Sequence, residues 1–246
     1  MNDPALQESL EEYLAQLKER QPELPVLSTE VQGLLSSFWH DYPHLRGVTG
    51  SLLSAFGLLV AAFRQGGRLF VCGNGGSFAD ALHLSAELMK SFRLPRPLPE
   101  RHRQALRCLG AEELGESLQG GFPVIVLGLN HSLASALEND IPTPRIGFAQ
   151  ELYCLGRKGD VLLGISTSGK AVNVLHAVAV ARILEMSTIA LTGGDGGPLA
   201  RQAQCVICVP ATETRTAQEM HQAVYHTLCA MLEAEFFAPG HVGRLP

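Results

Sequence analysis

The chain has 246 residues, of which 46% are hydrophobic and 17% charged. That composition folds around a buried core and is far from a disordered one. The net charge of −5 and isoelectric point near 6.0 supply no basic field for nucleic acid, so an anionic ligand must be held by backbone amides and hydroxyls.

The N-terminal stretch carries Asp3, Glu8, Glu11 and Glu12 without an apolar run and does not read as a signal peptide. Leu6, Leu10, Leu14 and Leu17 recur at helical spacing until Pro22 and Pro25 break the pattern. Further helices are expected over 29–40 and 45–65, the second closed by Gly66 and Gly67. The longest apolar stretch, 52–63, contains Ser54 and Gly57 and is too short to span a bilayer. Its surplus of apolar side chains, among them Leu52, Phe56 and Val60, suggests packing between subunits.

From residue 68 onward the pattern becomes strand, Gly-rich turn, helix, repeated. Strands are expected over 68–72, 123–127, 160–165, 187–191 and 206–209, with a last helix over 216–237. The runs are continuously apolar rather than alternating, and helical segments separate them. This implies an α/β fold: an αβα sandwich with a five-stranded parallel sheet, of flavodoxin-like type, preceded by N-terminal helices. The segment 94–121, with an expected helix over 104–118, is long for a connection and reads as a lid, an interface or a surface excursion. Six cysteines are scattered along the chain, as buried thiols in a reducing cytosol would be. Cys205 and Cys208 have the spacing of a metal knuckle, but a strand would send the two thiols to opposite faces.

Two strand-to-helix turns carry the chemistry. Gly73-Asn74-Gly75-Gly76-Ser77 lets backbone amides approach an anion, because glycine removes the Cβ obstacle. It is not a dinucleotide fingerprint, and no acidic residue follows at the required spacing. Ser166-Thr167-Ser168-Gly169 offers three hydroxyls where a helix begins and its dipole favours negative charge. Both turns are expected at the carboxyl edge of a parallel sheet, where such folds bind ligands. Together they point to a phosphorylated small molecule.

His83 and Glu87 lie four apart on one helix, and Gln218 and His226 eight apart on another, each pair on one face. The four suit a divalent metal or an acid–base pair acting on a sugar carbon. An ordinary ion pair plus a core histidine has the same spacing, and His221 competes with His226 for any role. His40, His44, His102, His176 and His241 read as structural or solvated.

These motifs resemble those of a known family. Cys72 to Ser77 with Asp80, His83 and Glu87 is similar to the first-loop motif of the phosphoheptose isomerases, a branch of the sugar-isomerase (SIS) class. Gly159 to Gly169, then Thr192-Gly193 with Asp195-Gly196-Gly197, resemble their second and third motifs. Gln218-Glu219-Met220-His221 with His226 resembles the run on their last helix. The resemblance implies an N-terminal helical segment over 1–44 and a SIS domain over 45–246, with an insertion near 97–121.

It also implies a cytoplasmic homotetramer, with sites at subunit interfaces, that interconverts sedoheptulose 7-phosphate and an aldoheptose 7-phosphate through a cis-enediol. Glu87 would be the base and His226 its acid partner, meeting across a subunit boundary. Ser77, Ser166, Thr167 and Ser168 would hold phosphate, with Asn74, Gly75, Gly76, Asn130 and Gln218 around the substrate. His83, Glu87, Gln218 and His226 would hold zinc. Neither nucleic acid nor membrane is an expected partner. Three positions depart from the family pattern: Ala171 replaces a serine, Asn130 an aspartate, and Arg215 stands near where an aspartate is expected. Lys170 or Arg215 could compensate. A non-catalytic SIS module that senses a sugar phosphate, or binds a protein such as the replication initiator, shares these motifs. Retention of both Glu87 and His226 favours the enzyme.

Overall fold

Five strands form one parallel sheet in the order β2-β1-β3-β4-β5: β1 (Leu69–Cys72), β2 (Val124–Val126), β3 (Val161–Ser166), β4 (Ser187–Gly193) and β5 (Cys205–Val209). The computed structural model describes residues 4–20 and 26–239. Pro22, Pro25 and His241 therefore lie outside the described residues. Register is continuous across the site-bearing strands, with Cys72 beside Gly164 and Ser166 beside Thr192.

Period-two alternation along the strands feeds two cores. Leu69, Val71, Leu163, Ile165, Ile189 and Leu191 pack with α1 (Pro4–Arg20), α2 (Thr29–Asp41), α3 (Thr49–Arg64), α4 (Gly76–Met89) and α11 (Thr214–Phe237). Phe70, Cys72, Leu162 and Ala190 face the other way, against α8 (Gly147–Leu155), α9 (Val172–Ile183) and the short α10 (Gly197–Gln202). The result is the expected three-layer sandwich. Cys205 is buried and Cys208 half-buried on the opposite face, their thiols directed at Ser51 O and Gly194 O. The strand reading of that pair holds.

Three expectations need correction. A 3₁₀ turn, Pro43–Val48, runs directly into α3, so the helical stretch Pro43–Arg64 reaches 22 residues, the length of a membrane span, and contains an 18-residue window of mean hydropathy 1.5. More than half of it is buried inside the protein. Secondly, Leu52, Leu53, Phe56, Leu59, Val60 and Phe63 are all nearly or fully buried in the chain's own core, so α3 has no surplus apolar face for a partner. Thirdly, the expected helix over 104–118 is two helices, α5 (Glu100–Cys108) and α6 (Glu112–Ser117), because Gly110 adopts φ 71° between them. A Pro97–Gln119 bridge closes the base of this excursion. The remaining helix, α7 (His131–Asp140), follows β2.

Candidate active site at the carboxyl edge of the sheet

The strand order reverses between β1 and β3: from β1 the chain crosses to the β2 side, and from β3 to the β4 side. Loops leaving a sheet at such a switch point diverge and open a crevice. The two Gly- and Ser-rich turns are the loops that diverge here. In the first, Gly75 sits at φ 54°, and a Cβ on Gly73 would lie 2.6 Å from Ser77 O, so only glycine fits either position. Ser77 is buried in the first turn of α4.

The second turn differs from expectation. Ser166 ends β3 and is buried, Thr167 is half-buried and Ser168 exposed, but α9 begins only at Val172. The hydroxyls therefore stand between strand and helix rather than in the helix's first turn. Ala171, where the family carries serine, occupies the N-cap without a side-chain cap. Ser168 Oγ instead accepts from Lys170 N at 3.4 Å. A Cβ on Gly169 would fall 1.9 Å from Gly196 O, and Gly193 N donates to Thr167 O at 3.0 Å. The third Gly-rich motif thus backs the second. Across the crevice, the side-chain amides of Asn74 and Asn173 exchange two hydrogen bonds, of 2.9 and 2.7 Å. Asn130 is exposed and caps α7, its Oδ1 accepting from Leu133 N at 3.0 Å. Arg215 is exposed at the start of α11, facing Glu213 and Glu219.

Helices α4 and α11 bring the second constellation together. His83 Nε2 lies 3.3 Å from Glu87 Oε1 and 3.4 Å from His226 Nε2, with the imidazoles edge-on. Phe92 lies against the His226 ring, and Lys90 Nζ is 3.5 Å from Glu87 Oε2. Two turns earlier on α11, Gln218 reaches the first loop: a Cβ on Gly76 would lie 2.1 Å from its Nε2. Three of the four expected ligands are thus in mutual contact through His83, and the fourth touches the glycine loop. A single chain achieves this; the expected meeting of Glu87 and His226 across a subunit boundary is not required to bring their helices together.

His221 is excluded from this group. It is fully buried with neither ring nitrogen hydrogen-bonded, and burial pushes its pKa down to about 4, opposed by the Thr192 backbone. His226 is also shifted down, by burial and then by the charge of His83, while Glu87 opposes. Asp80, one turn before His83, is raised to about 6 by burial.

Sequence reasoning missed several groups. Asn173 pairs with Asn74; Tyr225 hydrogen-bonds His83 Nδ1 at 3.1 Å. Glu233 accepts from the Phe92, Arg93 and Leu94 amides and from Arg96 Nε at 2.7–3.0 Å. Arg96 in turn donates to Leu88 O and Glu87 O, holding the end of α4. A charged residue in each of two otherwise apolar stretches, Arg96 between Leu94 and Leu98 and Glu233 within Met231–Ala234, was the available signal for this buried pair.

Metal-binding chemistry fits the donors in part. Bonds of about 2.0–2.1 Å in a tetrahedral zinc site place neighbouring donors about 3.4 Å apart, close to both His83 separations. Among the described residues, however, no three of His, Cys, Asp or Glu form a ready-made metal cluster.

Fold and site define an α/β protein with two glycine- and hydroxyl-rich loops and a carboxylate–imidazole group on the helices that flank them, and residues 147–234 match the SIS domain family. A phosphoheptose isomerase of Roseiflexus sp. is 38% identical over 179 residues, covering 73% of this chain and 79% of that one. One from Synechocystis sp. is 34% identical over 213 residues, covering 87% and 94%. The solved phosphoheptose isomerases of Francisella tularensis and Neisseria gonorrhoeae superpose with TM-scores of 0.64 and 0.62, at 27% and 28% identity. They cover 83% and 82% of this chain, and 98% of each solved chain. The chain belongs to the phosphoheptose isomerase family.

Proposed function

We propose that this protein interconverts sedoheptulose 7-phosphate and D-glycero-D-manno-heptose 7-phosphate. The observation that carries the reading is the contact of His83 with both Glu87 and His226 beside the glycine and serine loops of the switch point. Ser77, Ser166, Thr167 and Ser168 bind the phosphate, with Lys170 offering a nearby cation where Ala171 lacks a hydroxyl. Glu87 removes a proton from C1 of the ketose as the C2 carbonyl oxygen gains one, forming the cis-enediol. The same carboxyl returns its proton to C2 while the C1 hydroxyl gives up its own and becomes the aldehyde. His226, whose pKa burial lowers, passes protons to and from the two oxygens. Zinc held by His83, Glu87, Gln218 and His226 would supply a Lewis acid for the developing oxyanion.

The oligomer expected of the family finds support in apolar side chains left at the surface, including Met89 on α4 and Leu109, Leu114 and Leu118 on the excursion. A soluble phosphorylated substrate and six free thiols support a cytoplasmic setting. The test is exchange with solvent of the C1 proton of the ketose or the C2 proton of the aldose, followed by NMR. Glu87→Gln keeps the shape but cannot take the proton, and should slow exchange about 10²–10⁴-fold while sugar-phosphate binding persists. Wild-type protein that binds heptose phosphate yet shows no exchange, with or without zinc, would replace the isomerase by a sensor.

A further inference from the structure

Behind the reacting groups lies a chain of polar side chains that neither the loops nor the acid–base pair explains. Tyr225 is buried, 1% exposed, immediately before His226 on α11. Its hydroxyl lies 3.1 Å from His83 Nδ1 and donates to Asp80 Oδ1 at 3.5 Å. Asp80 comes from α4, one turn before His83, and its Oδ2 is buried with no hydrogen-bond partner.

A phenol has one proton to give. If Tyr225 gave it to His83 Nδ1, neither oxygen of the Asp80 carboxylate would receive a hydrogen bond from the described residues, and an unpaired buried carboxylate is costly. If Tyr225 gives it to Asp80, the contact with His83 must be donated by the imidazole, so the ring proton resides on Nδ1. His83 Nε2 then turns a lone pair toward Glu87 Oε1 and His226 Nε2. Carboxylate, phenol and imidazole are in line, and the far end of the line is the reaction site.

We infer that Asp80 and Tyr225 are positioning residues that hold His83 as its Nδ1–H tautomer, leaving Nε2 free to accept a proton or a cation among Glu87 and His226. The inference rests on the placement of His83, Glu87 and His226 in the reaction site. It extends that reading by saying which nitrogen is offered and what fixes it. Such outer partners set the tautomer and basicity of a ligating imidazole.

The test is a long-range ¹H–¹⁵N correlation spectrum of metal-free protein at pH 8, with the His83 signals assigned by their loss in His83→Gln. Wild type should show protonated Nδ1 and unprotonated Nε2 at His83. Tyr225→Phe removes the acceptor and Asp80→Ala frees the phenol to donate, so both should move the proton to Nε2. A wild-type His83 protonated at Nε2, or Nδ1 protonation retained in Tyr225→Phe, overturns the inference. Circular dichroism of each variant guards against misfolding, and the two substitutions lie on different helices, so one can report if the other fails to fold. A second readout uses Co²⁺ as a spectroscopic probe: Tyr225→Phe should weaken its binding about 10- to 100-fold. Wild-type protein that binds no Co²⁺ would refute the metal role of these residues while the tautomer result still stands; equal Co²⁺ affinity in both would refute a tuning role for Tyr225.

Discussion

His221 and His226 are five residues apart and chemically identical, yet the fold gives them opposite parts. His226 reaches the crevice, whereas His221 is sealed beneath β4. A histidine with a folded pKa near 4 against about 6.5 unfolded binds fewer protons when folded. Its contribution to stability is therefore present above pH 6.5 and lost as pH falls toward 4, by up to about 3 kcal/mol. Urea titrations across that range should show the loss in wild type and a shallower slope in His221→Leu; parallel slopes would contradict the buried neutral state. At the phosphate loop, Ser168→Ala should weaken sugar-phosphate binding by about 1–3 kcal/mol, the scale of a hydrogen bond to a charged group. Calorimetry that finds equal affinities would remove Ser168 from the cradle.

At the scale of elements, the end of α4 decides where Glu87 points, and α11 holds that end through a buried ion pair. Arg96 and Glu233 are both about 1% exposed, and Arg96 donates to the carbonyls of Glu87 and Leu88. Burial lowers the Arg96 pKa, with Glu233 opposing. Removing one partner leaves an unpaired buried charge, so Glu233→Gln should cost about 3–5 kcal/mol in denaturant unfolding. A cost below 1 kcal/mol would mean that the three loop amides, rather than the arginine, account for the burial of Glu233. The excursion over 97–121 is tied at its base to the same region, since Gly120 N donates to Arg96 O at 2.7 Å. Its two helices were read as one because apolar spacing continues across Gly110, whose left-handed φ breaks the helix.

For the whole molecule, the question is how much surface is left for partners. The apolar stripe of α3 first pointed to an interface, but β3, β5 and α11 cover it. Among the apolar side chains that stay exposed are Met89, Leu109, Leu114 and Leu118. If these form an interface between copies, light scattering at micromolar concentration should give a multiple of 26.4 kDa, and deleting 100–118 should shift it downward. A monomeric wild type would refute assembly.

Sequence alone determined the sheet, its five strands and the two loops that serve it, because continuous apolar runs and glycines with steric obligations are local signals. It also placed His83 with Glu87 and Gln218 with His226, since helical periodicity puts each pair on one face. Tertiary structure decided what periodicity cannot carry. Whether α3 faces a partner or its own sheet depends on what packs over it. Whether His221 or His226 reaches the crevice depends on a rotation of α11 that all its contacts set together. Asp80, Tyr225, Arg96 and Glu233 acquire roles only through partners on another element, often more than 100 residues away. No local pattern encodes such a pairing, because its free energy arises only when the fold removes both groups from water.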